Sequence, residues 1–165
     1  MKKRDLSLLL LFACLFLWSG CMSLPKPVDS RSTVLVIART LDNEPKRAPF
    51  RYYNLKLQGS DREIRVRAQQ GLLIVRDLPS GDYVINRVES VHMSDNRTRQ
   101  KRANIRFSLT GGEITLLPYA FDVEIREENR KSKYYQYWKF RRMEPVELEE
   151  VRLQVDGLKN RELWR

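Results

Sequence analysis

Apolar and polar residues alternate with a period of two in one short segment after another, and this alternation limits the fold more than any other feature of the chain. Tyr53, Leu55 and Leu57 alternate with Asn54, Lys56 and Gln58, and Ile64, Val66 and Ala68 with Arg65 and Arg67. Ile105, Phe107 and Leu109 alternate again with Arg106 and Ser108. Successive side chains of a strand point to opposite faces, so each segment reads as a strand with one face buried and its charges outward. Thr33–Ala38 is a nearly continuous β-branched and aliphatic run and reads as a central strand; Leu72–Val75 and Tyr83–Val91 follow across turns. Gly111-Gly112 is a hairpin signal, with Ile114–Leu117 as the returning strand. Phe121, Val123 and Ile125 carry that strand past Pro118, where a kink or an edge position is expected, and Tyr134–Arg142 supplies a further strand. Short strands at near-regular spacing predict a mainly β domain over residues 33–142, an antiparallel β-sandwich.

Residues 143–165 differ. Pro145 fits the first position of a helix, and Glu147, Glu149 and Glu150 fall in its first turns, where the helix dipole favours anions. Leu148, Val151 and Val155 then share one face and Gly157 offers a stop. Val151, Leu153 and Val155 also alternate as a strand would; the capping signals favour the helix.

The first 20 residues form a separate unit. Lys2, Lys3 and Arg4 precede an apolar stretch from Leu6 to Trp18, 13 residues broken only by Ser7. That length suits the core of an export signal and is too short to span a bilayer, which takes about 20 residues. The stretch ends in Trp18-Ser19-Gly20-Cys21, which resembles the lipobox of bacterial lipoproteins, with Trp18 where leucine is commonest. Leu11-Phe12-Ala13-Cys14 is a weaker second match, and an ordinary secretory signal or an uncleaved anchor are the plainer alternatives. The resemblance implies cleavage before Cys21, diacylglyceryl and N-acyl modification of that cysteine, and, because Met22 rather than aspartate follows it, release to the outer membrane facing the periplasm. Buried methylenes contribute about 0.8 kcal/mol each, so two or three acyl chains anchor a domain that one would not. Cys14 and Cys21 are the only cysteines, so the exported part has no partner for a disulfide and no cysteine nucleophile or thiolate metal site beyond its first residue. Residues 21–32, with Pro25 and Pro27 and a polar Asp29–Ser32, read as a lipidated tether.

A second resemblance lies within the sandwich. Asp77-Leu78-Pro79-Ser80-Gly81-Asp82-Tyr83 resembles the turn-and-strand signature of transthyretin-like (prealbumin-like) β-sandwiches, and Phe107–Thr115 resembles the polar glycine turn of small lipoproteins with that sandwich. The resemblance implies a fold, with Tyr83 closing the mouth of the sandwich, and no activity.

Chemistry-bearing motifs are sparse. His92 is the only histidine, and no nucleophile elbow, paired-histidine zinc motif or phosphate-binding glycine loop occurs. The chain is therefore expected to need no cofactor and to hold no metal or catalytic set. Of the formal charge of +10, the leader carries +2, leaving about +8 on the exported part. Two segments concentrate it. Arg97, Arg99, Lys101 and Arg102 read as an exposed loop tip; Arg126, Arg130, Lys131, Lys133, Lys139, Arg141 and Arg142 are interleaved with Tyr134, Tyr135, Tyr137, Trp138 and Phe140. Cations among aromatic residues suggest nucleic-acid stacking in a cytosolic protein, but the leader removes nucleic acid from reach. The anions left are lipid headgroups, peptidoglycan carboxylates and acidic proteins, unless Tyr134, Trp138 and Phe140 simply face the core. The expected function is a lipid-anchored, non-catalytic binding or structural module of the cell envelope; a basic binder of the membrane surface or of peptidoglycan is the alternative, and an envelope hydrolase the third.

Overall fold

The computed structural model describes residues 22–42, 50–67, 71–92, 98–128 and 133–165, with the side chains of 50, 51, 92, 127, 128 and 133–136 outside the description. Its strands are β1 (Val34–Asp42), β2 (Phe50–Leu57), β3 (Glu63–Val66), β4 (Gly71–Arg76), β5 (Gly81–His92), β6 (Thr98–Leu109), β7 (Ile114–Leu116), β8 (Tyr119–Glu128) and β9 (Lys133–Arg142). One helix, α1 (Pro145–Asp156), and a 3-10 turn at Arg161–Leu163 follow. The strands form two sheets. Sheet I has the order β4-β1-β8-β9, with β7 continuing the line of β8 beside β1, and sheet II has the order β3-β2-β5-β6.

The alternating residues meet between the sheets. Leu35 and Ile37 of β1, Tyr53 and Leu55 of β2, Ile85 and Val88 of β5, and Phe121, Val123 and Ile125 of β8 are buried in one cluster. Phe121 is at its centre, with Tyr53 edge-on at 5.2 Å and Phe140 and Trp138 at 5.1 and 6.2 Å between ring centroids. The other face of sheet I carries a second cluster in which Val34, Val36 and Ala38 of β1 pack with Leu24, Leu72, Ala120, Met143, Val155 and Trp164. Cover on both faces explains why β1 lacks alternation and reads as a continuous apolar run.

Leu153 decides the structure of the C-terminal segment. On a strand it would share a face with Val151 and Val155; on α1 it faces water at 64% exposure while Val155 is buried at 5%. Gly157 ends the helix, donating its N–H to the Leu153 carbonyl at 3.1 Å. Glu147, in the first turn, accepts the Glu144 N–H at 2.8 Å. It also receives Arg141 of β9 through both guanidinium nitrogens, at 2.7 and 2.9 Å, while Arg141 Nε donates to Asp122 of β8 at 3.0 Å. This clasp joins helix to sheet. The guanidinium and the Glu144 N–H hold the Glu147 carboxyl below its usual value of 4.5. A folded-state pKa below the unfolded one stabilises fully above the unfolded value, and the gain is lost as pH falls through the folded one. Thermal midpoints measured from pH 5 to pH 3 should therefore fall less steeply in Glu147→Gln than in the unaltered chain.

Three expectations change. The Gly111-Gly112 turn is not a hairpin: β6 stays in sheet II beside β5, whereas β7 pairs parallel with β1 in sheet I. A turn signal reports reversal of the chain and not which sheet receives it. Gly112 has φ +76°, and a side chain on Gly111 would stand 2.6 Å from the Ser30 carbonyl, so both glycines are needed where the crossing passes the N-terminal segment. The sandwich is also not wholly antiparallel, because β1 runs parallel to β7 and β8. Finally, residues 98–102 are not a loop tip. They belong to β6 and pair with Val91 to Arg87 of β5. Their side chains are exposed although Val88, opposite Lys101, is buried, because β6 is the edge strand of sheet II.

Candidate functional site

The described parts of the two basic segments lie on the edge strand β6 and on β8 and the edge strand β9. Arg97, Arg130 and Lys131 lie outside the described residues, as does the side chain of Lys133. On β6 the described cations divide between faces. Arg102 is exposed and paired in register with Arg87 on the outer face. Lys101 instead overhangs the gap between the sheets, 5.3 Å from the centroid of the Trp138 ring. On β9, Trp138 and Phe140 pack against the core while Tyr137 and Lys139 are exposed.

Lys101, Arg126 and Lys139 line a recess of about 430 Å³ together with Asp42, Asp122 and Glu124. Three carboxylates thus face three cations. Arg126 lies against Glu124 and over the Tyr137 ring at 5.3 Å. Arg141 is taken up by Asp122 and Glu147, so it is a structural clasp and not a free cation for an anionic surface. Among the described cations of the basic–aromatic segment, Arg126 and Arg141 are thus paired with acids of β8. Arg99, Arg102 and Arg142 remain exposed but do not converge.

The N-terminal segment is more informative. Cys21 lies outside the described residues, yet the chain is docked almost at once after it. Leu24 is 1% exposed within the helix-side cluster and donates its N–H to the Lys159 carbonyl at 3.0 Å. The Leu24 carbonyl accepts Asn160 Nδ2 at 2.8 Å, and the Pro25 carbonyl accepts the Trp164 indole N–H at 2.8 Å. Farther on, the Ser32 carbonyl accepts the Gly112 N–H at 2.7 Å. The described part of the expected tether, residues 22–32, is therefore not free along its length. Pro25 and Pro27 keep the segment extended, but it is extended over the domain surface.

Met22, exposed beside this docked segment, opens onto a second recess of about 410 Å³ lined also by Arg39, Arg65, Arg67 and Leu72 to Ile74. Arg39 is the unusual member. It is 6% exposed, and its side chain donates to the Gly71 carbonyl at 3.4 Å and the Leu72 carbonyl at 2.6 Å. No carboxylate among the described residues pairs with it, and burial lowers its affinity for its proton. Arg65 lies 3.7 Å from Glu63, which Lys56 also holds, and over the Tyr52 ring at 4.2 Å; Arg67 is exposed.

No family model, no curated protein and no solved structure matches the chain. The site must be judged on its own geometry.

The sequence placed Arg65 and Arg67 outward on β3 without linking them to Arg39, which lies on a different sheet. The one available signal was an arginine directly after the apolar run Thr33–Ala38 and before Leu41, at a position that alternates with buried residues. No group of three or more potential metal ligands occurs among the described residues, and no helix there is long and apolar enough to cross a membrane.

Proposed function

We propose that the chain is a lipid-anchored, non-catalytic module of the bacterial cell envelope, exported by residues 1–20, cleaved before Cys21, acylated on that cysteine and released to the outer membrane on its periplasmic side. The observation that carries this reading is the burial of Leu24. Only Met22 and Ser23 separate a lipidated Cys21 from a fully buried side chain, a link spanning no more than about 10 Å. A domain held that closely works at the membrane surface rather than at the end of a long leash. Its Met22 side faces the headgroups and its β6 and β9 edges are left for an envelope partner. The turn at Asp77–Tyr83 supports a transthyretin-like reading of the sandwich: Gly81 has φ +149°, Tyr83 donates its hydroxyl to the Pro79 carbonyl at 2.7 Å, and its ring stacks on Phe107.

The test is fractionation of the full-length chain expressed in a Gram-negative host. The unaltered protein is expected in the membrane fraction, with an N-terminal peptide carrying the mass of three acyl chains on Cys21. Cys21→Ser is expected to lose that mass and leave the outer-membrane fraction. An unmodified Cys21 peptide, or a Cys21→Ser variant that fractionates unchanged, would overturn the proposal.

A further inference from the structure

We infer that the recess formed by Arg39, Arg65 and Arg67 binds a phosphate group, as carried by an anionic phospholipid of the membrane beside it. The lipid source rests on the anchored reading above; the phosphate chemistry does not.

Arg39 leads to this inference. A guanidinium has five N–H donors and stays charged at any physiological pH, and such a group is rarely buried without an anion. Here two backbone carbonyls satisfy part of the fork, and no carboxylate of the described residues forms an ion pair with it; Glu147 and Glu150 line a separate recess on the helix side that Arg39 also borders, and Glu147 is held there by Arg141. The nearest acid on β3, Glu63, is already shared by Lys56 and Arg65. Arg65 and Arg67 line the same opening and no acidic residue does, so the recess gathers positive charge, whereas the recess beside β6 and β9 also holds three carboxylates. Planar guanidiniums match the oxygens of phosphate in paired hydrogen bonds, which suits several arginines around one opening.

The position of the recess selects the source. Met22 is part of its wall and is the residue next to Cys21, so an anchored chain carries this opening within a few ångströms of the acyl chains. Each cation near an anionic leaflet adds on the order of a fivefold gain in binding, and the gain falls off over about 10 Å. Leu72 to Ile74 give the recess an apolar side against which the glycerol and first methylenes of a lipid can lie.

The experiment titrates the detergent-solubilised full-length chain with dihexanoyl-phosphatidylglycerol below its micelle concentration and, separately, with inorganic phosphate, reading heat or the NMR shifts of the arginine side chains. Binding of the phosphatidylglycerol at least about tenfold tighter than inorganic phosphate is expected. Comparable binding of both would still support a phosphate site but assign free phosphate as its ligand. Arg39→Met should abolish binding. The double variant Arg65→Gln with Arg67→Gln, both exposed, should weaken it at least about tenfold with an unchanged melting temperature, and it carries the test if Arg39→Met does not fold. Arg99→Gln with Arg102→Gln should bind as the unaltered chain does. Failure of both ligands to bind at millimolar concentration, or full binding by the Arg65/Arg67 double variant, would overturn the inference. The mass of the Cys21 peptide is read on the same preparation, so loss of the anchor reading is seen separately from loss of the phosphate site.

Discussion

Phe121→Ala is expected to remove most of the domain's stability. Phe121 is fully buried where the two sheets meet, in ring contact with Tyr53, Trp138 and Phe140. Truncating a phenylalanine in such a setting costs about 3–5 kcal/mol, because the burial of the ring is lost and the cavity left behind collapses only in part. A domain of this size has a total margin of about 5–15 kcal/mol. The neighbours cannot close the gap easily, since Phe121 lies on β8, which is held on one side by β1 and on the other by β9. Urea denaturation followed by tryptophan fluorescence checks this, with Trp138 itself as a reporter within 6.2 Å. An unchanged midpoint would mean that the sheets are not packed as described.

Trp164→Ala should come second in size and differ in kind. Trp164 is 5% exposed beneath the helix-side cluster, and its indole N–H reaches the Pro25 carbonyl at 2.8 Å. Losing the ring costs about 3–5 kcal/mol by the same reasoning, and the Pro25 carbonyl loses its partner. The sandwich core lies on the other side of sheet I, so the damage should concentrate where residues 22–26 dock. Amide hydrogen exchange resolves the two effects. The Leu24 N–H, bonded to the Lys159 carbonyl, should exchange far faster in the variant, while amides of β2 and β5 should keep much of their protection. Trp164→Phe should fall between, retaining ring packing without the donor. If the Leu24 amide kept its protection in Trp164→Ala, the N-terminal segment would be held by something other than this contact.

How much of the fold was legible depends on whether the information was local. The alternation at Tyr53–Leu57, Ile64–Val66 and Ile105–Leu109 gave the inward faces, because burial on one side of a strand writes itself into every second residue. The break at Pro118 likewise separates β7 from β8. Sheet membership was not legible. Gly111-Gly112 signals reversal equally well for a hairpin and for a crossing between sheets, and only the pairing of Val34 with Ile114 distinguishes them. The docking of Leu24 was hidden for a similar reason: a leucine among prolines looks like a linker residue until Trp164, at the far end of the chain, covers it.

The candidate site was less legible still. Counting cations pointed to residues 97–102 and 126–142, but charge in sequence is not charge in space. Glu124 and Asp122 pair with Arg126 and Arg141 of the second segment, and Arg141 also serves the helix. The three arginines that line one recess come from β1, from β3 and from the residue just after β3, on different sheets. No window of the sequence contains all of them.

The strand order has a consequence for when the chain can close into its final fold. β1 lies between β4 and the β7–β8 line, so Val34 waits for Arg76 on one side and Ile114 on the other, and Arg39 waits for Phe121. Sheet I therefore has no complete centre until most of the polypeptide is present, and such distant pairings form late. Sheet II is complete once Leu109 is present, so it is sheet I that holds back the closing of the sandwich. The helix-side cluster closes later still, because it waits for Val155 and Trp164.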